Sequence, residues 1–111
     1  PFKSAYIAAK HGLVGLAKTV ALENADVDVT VNTICPAYVR TPLVDRQIAR
    51  QAEEHGMPVE RVIAEIMLRP MPKQAFVTIA EIAAAADYLI SDAARNVTAQ
   101  ALAIDGGWTA Q

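Results

Sequence analysis

The chain has one cysteine, Cys35, in 111 residues. An internal disulfide is therefore impossible and a cysteine-based zinc site is not expected, so the chain reads as one made for a reducing compartment, the cytoplasm. Aromatic residues make up only 5% of the sequence, which excludes a core built mainly from large rings. Basic charge is scarce too: ten Lys and Arg stand against twelve Asp and Glu, for a net charge of -2. No basic stripe is available to neutralise phosphates, so a nucleic-acid partner is not expected. No apolar run reaches the length of a membrane span, and no signal peptide is visible. An initiator Met is also missing. The chain starts at Pro1, chemically loaded residues begin at Lys3, and a fragment lacking its N-terminal part is the expectation.

What is present is small and apolar. The hydrophobic fraction is 53%, and Ala alone supplies 22 residues. Small side chains let elements approach closely but bury little area each. Ser4 is placed as the cap of a helix running to about Asn24. The apolar positions Ile7, Leu13, Val14, Leu16, Ala17, Val20 and Leu22 cover more than one face, which predicts burial on two sides. Gly12 and Gly15 each cost about 1 kcal/mol in a helix, and a close neighbour would explain them. Val29–Cys35 is β-branched and nearly continuous, as a buried strand is, and Pro36 ends it. PAYVRTP, residues 36–42, is a stiff loop between two prolines. Helices are expected over Leu43–Glu54 and Val59–Leu68, parted by the break His55-Gly56-Met57-Pro58. Arg69–Gln74 excludes regular structure. Thr78 with Glu81 forms a capping box for a helix to about Ile90. After a polar connection, Ala101–Ile104 is a short strand that Asp105-Gly106-Gly107 ends. Strand, helices and strand in that order imply a parallel α/β sheet with helices on its faces. Two strands cannot bury such a sheet, so further strands are expected upstream.

Tyr6 and Lys10 lie four residues apart, which puts phenol and ammonium on one helix face, one turn apart. An ammonium beside a phenol favours the phenolate, and the positive helix N-terminus adds to this. A shift from about 10 to about 7 takes roughly 4 kcal/mol and yields a group that exchanges a proton near neutral pH. His11 and His55 have no carboxylate or thiol neighbours at metal-ligand spacing, so no metal is expected. His11 is read as structural, His55 as exposed and Cys35 as an inert core residue.

SAYIAAKHGLVGLAKTVALE, VNTICPAYVRTPLV and ALAIDGGW follow one another in this order at these distances. In this the chain resembles the C-terminal half of the short-chain dehydrogenase/reductase family, over nearly its whole length. The resemblance implies the C-terminal part of a Rossmann-type doubly wound parallel sheet, with residues 1–111 forming half of one domain and the dinucleotide-binding half absent. It implies hydride transfer between a nicotinamide cofactor, NAD, and an alcohol or ketone. Tyr6 would be the proton donor and acceptor, and Lys10 would hold the nicotinamide ribose. Pro36, Val39 and Thr41 would line the cofactor, Val39 through its backbone and Thr41 through its hydroxyl. The family usually has Gly at position 37 and often at 99, where this chain has Ala37 and Ala99.

Within the family, KSAYIAAKHG, CPAYVRTPLVDRQI and DGGWTAQ resemble dehydrogenases of short hydroxy acids such as D-3-hydroxybutyrate, with acetoacetate as the keto acid. On that resemblance Lys3 and Gln47 bind the substrate carboxylate and Trp108 packs on its methyl group. Tyr38 stands where those enzymes have Trp. A homotetramer is implied, and the isolated chain is expected to be inactive. Two other readings stay open: a 3-oxoacyl-thioester reductase of the same family, which would not need Lys3 or Gln47, and a catalytically silent assembly fragment.

Overall fold

The computed structural model describes Lys3–Ala110. Helix α1 spans Ser4–Glu23, strand β1 Thr33–Pro36 and helix α2 Pro42–His55. Helix α3, Val59–Val62, continues as a π-helical turn over Ile63–Met67, and α4 covers Ile79–Leu89. Strand β2, Ala101–Ile104, is followed by a 3-10 turn at Trp108–Ala110. The chain divides into two compact units, one of residues up to Ile34 with Ala84–Leu102, the other of Cys35–Ala83 with the residues from Ala103 on.

β1 pairs with β2. In the first unit the Ala99 amide donates to Val31 O (2.8 Å) and the Thr33 amide to Gln100 O (2.9 Å). In the second, the Ala37 amide donates to Ile104 O (3.0 Å). Both strands advance together in these bonds, so the pair is parallel, as the crossover predicts. The strand expected from Val29 begins only at Thr33. Upstream of it side chains supplement the single backbone bond to Val31 O: Val31 N donates to Thr98 Oγ1 (3.0 Å), Asn32 Nδ2 to Val97 O (2.7 Å), and Gln100 N to Asn32 Oδ1 (3.0 Å).

The same connection contains Ala99 at φ 59°, the left-handed region that a Cβ disfavours. This is the position where the family often has Gly. Ala99→Gly is therefore expected to stabilise the fold by about 1 kcal/mol, the relief of αL strain exceeding the entropy that Gly loses. A denaturant titration reads the shift, and an unchanged or lower midpoint contradicts it. Ala37 does not have a positive φ and needs no such relief.

Burial of α1 on two sides is not what this chain shows. Ala21 is its buried residue, and Ile7, Leu13, Leu16 and Leu22 are exposed. Apart from the helix's own adjacent backbone and the flanking residues, no atom lies within 4 Å of a Cβ built on Gly12 or Gly15, so the close neighbour expected there is not among the described residues.

The second unit holds a dense core. Thr41 caps α2, Pro42 occupies the first turn, and Gly56 ends the helix at φ 59°. The helix expected through Leu68 becomes a π turn after Val62, with Leu68 N bonding Ile63 O at 2.8 Å. Met67 and Leu68 are both buried, yet in different clusters. Met67 joins Ile48 and Val62, whereas Leu68 joins Met71 and Val77. Tyr38 packs against both clusters, so the core clamps the loop that follows β1. The capping box of α4 is present: Glu81 N donates to Thr78 Oγ1 (3.2 Å) and Thr78 N to Glu81 Oε2 (2.7 Å). These bonds to Thr78 hold the Glu81 carboxyl below its ordinary range.

Candidate active site

In the first unit, α1 presents Tyr6 and Lys10. The Lys10 ammonium lies 5.6 Å from the centre of the Tyr6 ring, and the phenol is 60% exposed. The helical spacing thus delivers the pair that sequence reasoning requires. Ser4, however, is not the cap. It already belongs to the helix, while Lys3 takes the capping position and makes no side-chain cap bond. A hydroxyl inside the first turn lacks the extended backbone from which a cap reaches the amides ahead of it. Lys3 accepts the Ile7 amide at its carbonyl (2.8 Å), and its side chain is exposed, one turn before Tyr6. His11 turns Nδ1 to Ile7 O at 2.9 Å, a local structural bond.

In the second unit the PAYVRTP loop is fixed from both sides. Val77 N donates to Tyr38 O (2.9 Å) and Arg40 N to Val77 O (3.1 Å), an isolated parallel bridge at Val39. In such a bridge the amide and carbonyl of the central residue point the opposite way. Those of Val39 have no backbone partner among the described residues. Thr41 accepts the Val44 amide at 3.4 Å, which leaves its O–H free to donate. Arg40 pairs with Asp45 at 2.6 Å and stacks over Phe76 at 5.0 Å. One turn into α2, Gln47 is half-buried in a shallow groove with Leu43, Arg46 and Arg50.

Trp108 lies against Tyr38, ring centres 6.1 Å apart and planes 26° apart. Trp108 keeps 39% of its surface open. Asp105 organises the turn that carries it. Its carboxylate accepts Gly107 N (2.9 Å), Thr109 N (2.9 Å) and Thr109 Oγ1 (2.7 Å). These donors, the Thr109 hydroxyl first, hold the Asp105 carboxyl below its ordinary range.

Lys3, Tyr6 and Lys10 thus belong to the first unit, and Pro36, Val39, Thr41, Gln47 and Trp108 to the second. Sequence reasoning missed Arg40, Asp105 and the Tyr38–Trp108 stack. Only Asp105 carried a signal, an Asp followed by Gly-Gly and then Thr, which is turn chemistry. Among the described residues no group of three His, Cys, Asp or Glu could hold a metal, and no helix is long and apolar enough to cross a membrane.

A family model described as enoyl-(acyl carrier protein) reductase matches residues 1–109. A short-chain dehydrogenase family protein from Francisella tularensis superposes with a TM-score of 0.90 at 30% identity, over 97% of this chain and 44% of that one. The chain belongs to the short-chain dehydrogenase/reductase family. Among curated relatives, the D-beta-hydroxybutyrate dehydrogenase of Rhizobium meliloti is 55% identical over 100% of this chain and 43% of its own length. That of Cupriavidus necator is 50% identical over 98% of this chain and 42% of its own. The chain therefore spans less than half the length of these relatives. Two further solved structures contain cofactor. An actinorhodin polyketide ketoreductase with NADPH matches at a TM-score of 0.82 and 36% identity, over 93% of this chain and 39% of that one. A 4-hydroxyisoleucine dehydrogenase with NADH matches at 0.79 and 33%, over 97% and 40%.

Proposed function

We propose that this chain is the proton-transfer and substrate-binding portion of an oxidoreductase that moves a hydride between NAD and a short hydroxy acid, D-3-hydroxybutyrate. The observation that carries the chemistry is Lys10 over Tyr6 at 5.6 Å on one helix face. Tyr6 takes the proton of the substrate hydroxyl during oxidation and returns it during reduction. Lys10, on the same helix face, keeps its positive charge beside the Tyr6 ring and holds the ribose hydroxyls. Val39, through its unpartnered amide and carbonyl, and Thr41, through its free O–H, suit the carboxamide of a nicotinamide, with Pro36 alongside. The bound nicotinamide supplies the hydride acceptor. The 55% and 50% identities to two D-beta-hydroxybutyrate dehydrogenases support the choice of substrate. Lys3 and Gln47 bind its carboxylate, and Trp108 meets its methyl end.

The exposed apolar residues Ile7, Leu13, Leu16 and Leu22 support a state in which α1 is covered by further protein, and the assembly we infer is a homotetramer. A cytoplasmic setting agrees with a lone free thiol, Cys35.

A 3-oxoacyl reductase is the competing reading, favoured by the likeness to the ketoreductase. The carboxylate separates the two. A hydrogen bond to a charged group contributes about 1.5–3 kcal/mol. Lys3 is exposed in this chain, so the lower end applies, and Lys3→Ala in the intact protein should raise KM for 3-hydroxybutyrate roughly tenfold. The neutral methyl ester should be affected far less, and Gln47→Ala should show the same bias more weakly. Steady-state kinetics on acid and ester decide. Equal effects on both remove Lys3 from the carboxylate site and leave a reductase of another substrate.

A further inference from the structure

The turn at Asp105 is built to a degree that ending a strand does not require. Gly106 and Gly107 both adopt positive φ, 62° and 90°, where other residues are strained. A Cβ on Gly106 would meet Met71 Cε at 3.2 Å, and Lys73 N donates to Gly106 O at 3.1 Å, so the turn is seated against a fixed segment. That segment is itself braced by Gln74, whose amide nitrogen donates to Leu68 O and Met71 O, each at 2.9 Å. The Asp105 carboxylate then binds both residues flanking Trp108, Gly107 and Thr109, while the Trp108 amide returns to Asp105 O at 3.2 Å. The bonds to Asp105 thus hold Trp108 and both of its flanking residues. The Trp108 side chain lies on Tyr38, which is backed by both core clusters.

We infer that Asp105 is a positioning residue: its grip on Gly107 and Thr109 holds Trp108 against Tyr38, so that the two rings form a single aromatic wall that limits the length of the substrate's alkyl end. The inference rests on the reading of Trp108 as the residue that meets the substrate methyl group. The indole lies against the Tyr38 ring, and the 39% of Trp108 left open is what a ligand can touch. A ring free to swing away would still permit binding, but the limit on chain length would be lost. Tyr38 matters because it is anchored. A mobile indole is only as well placed as the surface on which it rests.

The test uses the intact protein with Asp105→Ala, Asp105→Asn, Thr109→Val and Trp108→Phe. Trp108 emission is isolated by subtracting the same variant carrying Trp108→Phe, since Trp108 is the one tryptophan of this sequence. Asp105→Ala should move that emission to the red as the indole leaves Tyr38. It should also raise KM for 3-hydroxybutyrate about tenfold and that for a longer-chain 3-hydroxy acid much less, with KM for NAD held within about twofold. Thr109→Val should act in the same direction more weakly, and Asp105→Asn should retain part of the effect, because the amide oxygen still accepts. Unchanged emission in both Asp105→Ala and Thr109→Val overturns the inference. Altered emission with an unchanged ratio of the two KM values overturns the wall as a length limit. Should Asp105→Ala fail to fold, Thr109→Val decides alone. Failure of the underlying reading is distinct: Trp108→Phe would then leave KM for both acids as it was, while emission still reports whether Asp105 places the ring.

Discussion

Tyr6→Phe in the intact protein is expected to lower kcat about 10²–10⁴-fold, the usual contribution of a positioned acid–base group. Phenylalanine keeps the ring on which the Lys10 ammonium rests, 5.6 Å from its centre, and removes only the oxygen that carries the proton. The helix should be unaffected, because Tyr6 is 60% exposed and its hydroxyl anchors no part of the fold among the described residues. Binding of NAD should stay within a factor of about two, since the loss is in proton transfer and not in ground-state contacts. The measurement is kcat beside the dissociation constant for NADH. Near-normal turnover with normal cofactor binding removes Tyr6 from the reaction. It would also favour a chain whose role is assembly.

Met67→Ala is the largest expected loss of stability. Met67 is fully buried, packed with Ile48 and Val62 inside the second unit. Those neighbours are all in this chain, so the burial persists whatever surrounds it in the intact protein. Removing the side chain leaves a cavity as well as losing the transfer energy, about 2–5 kcal/mol in all. Met67→Leu conserves volume and should cost less than about 1.5 kcal/mol. The consequence reaches the candidate site, because Tyr38 packs on this cluster and Trp108 rests on Tyr38. Chemical denaturation monitored by circular dichroism reads the two midpoints. Equal midpoints for the two variants would mean that the cluster tolerates the cavity.

The parts legible in the residues alone are those governed by near neighbours along the chain. Thr78 and Glu81 close a box across three residues, and the structure has both bonds. Gly56 and Pro58 end one helix and start the next because each restricts its own backbone. Tyr6 and Lys10 share a face because the helical period puts them there. Ala101–Ile104 forms a strand with the expected bounds.

Other features depend on pairing between distant residues, and there the local pattern misled or was silent. Val29–Asn32 has strand propensity, yet it is held by Thr98 and Asn32 side chains because the opposite segment passes through Ala99 in a left-handed conformation. The cap at Ser4 failed because the helix begins one residue earlier than a hydroxyl there could serve. Val39 owes its free amide and carbonyl to a bridge with Val77, and Trp108 owes its direction to Asp105 and Tyr38. Near-neighbour bonds close short loops and hold in almost any surroundings, so helix faces, caps and breaks can be read along the chain. A contact between residues 38 and 108 must first overcome the entropy of closing a long loop, and only the joint packing of Ile48, Val62, Met67, Leu68, Met71 and Val77 makes that closure favourable. The Tyr6–Lys10 pair was therefore written in the order of the residues, whereas the Tyr38–Trp108 stack was decided by the packed core.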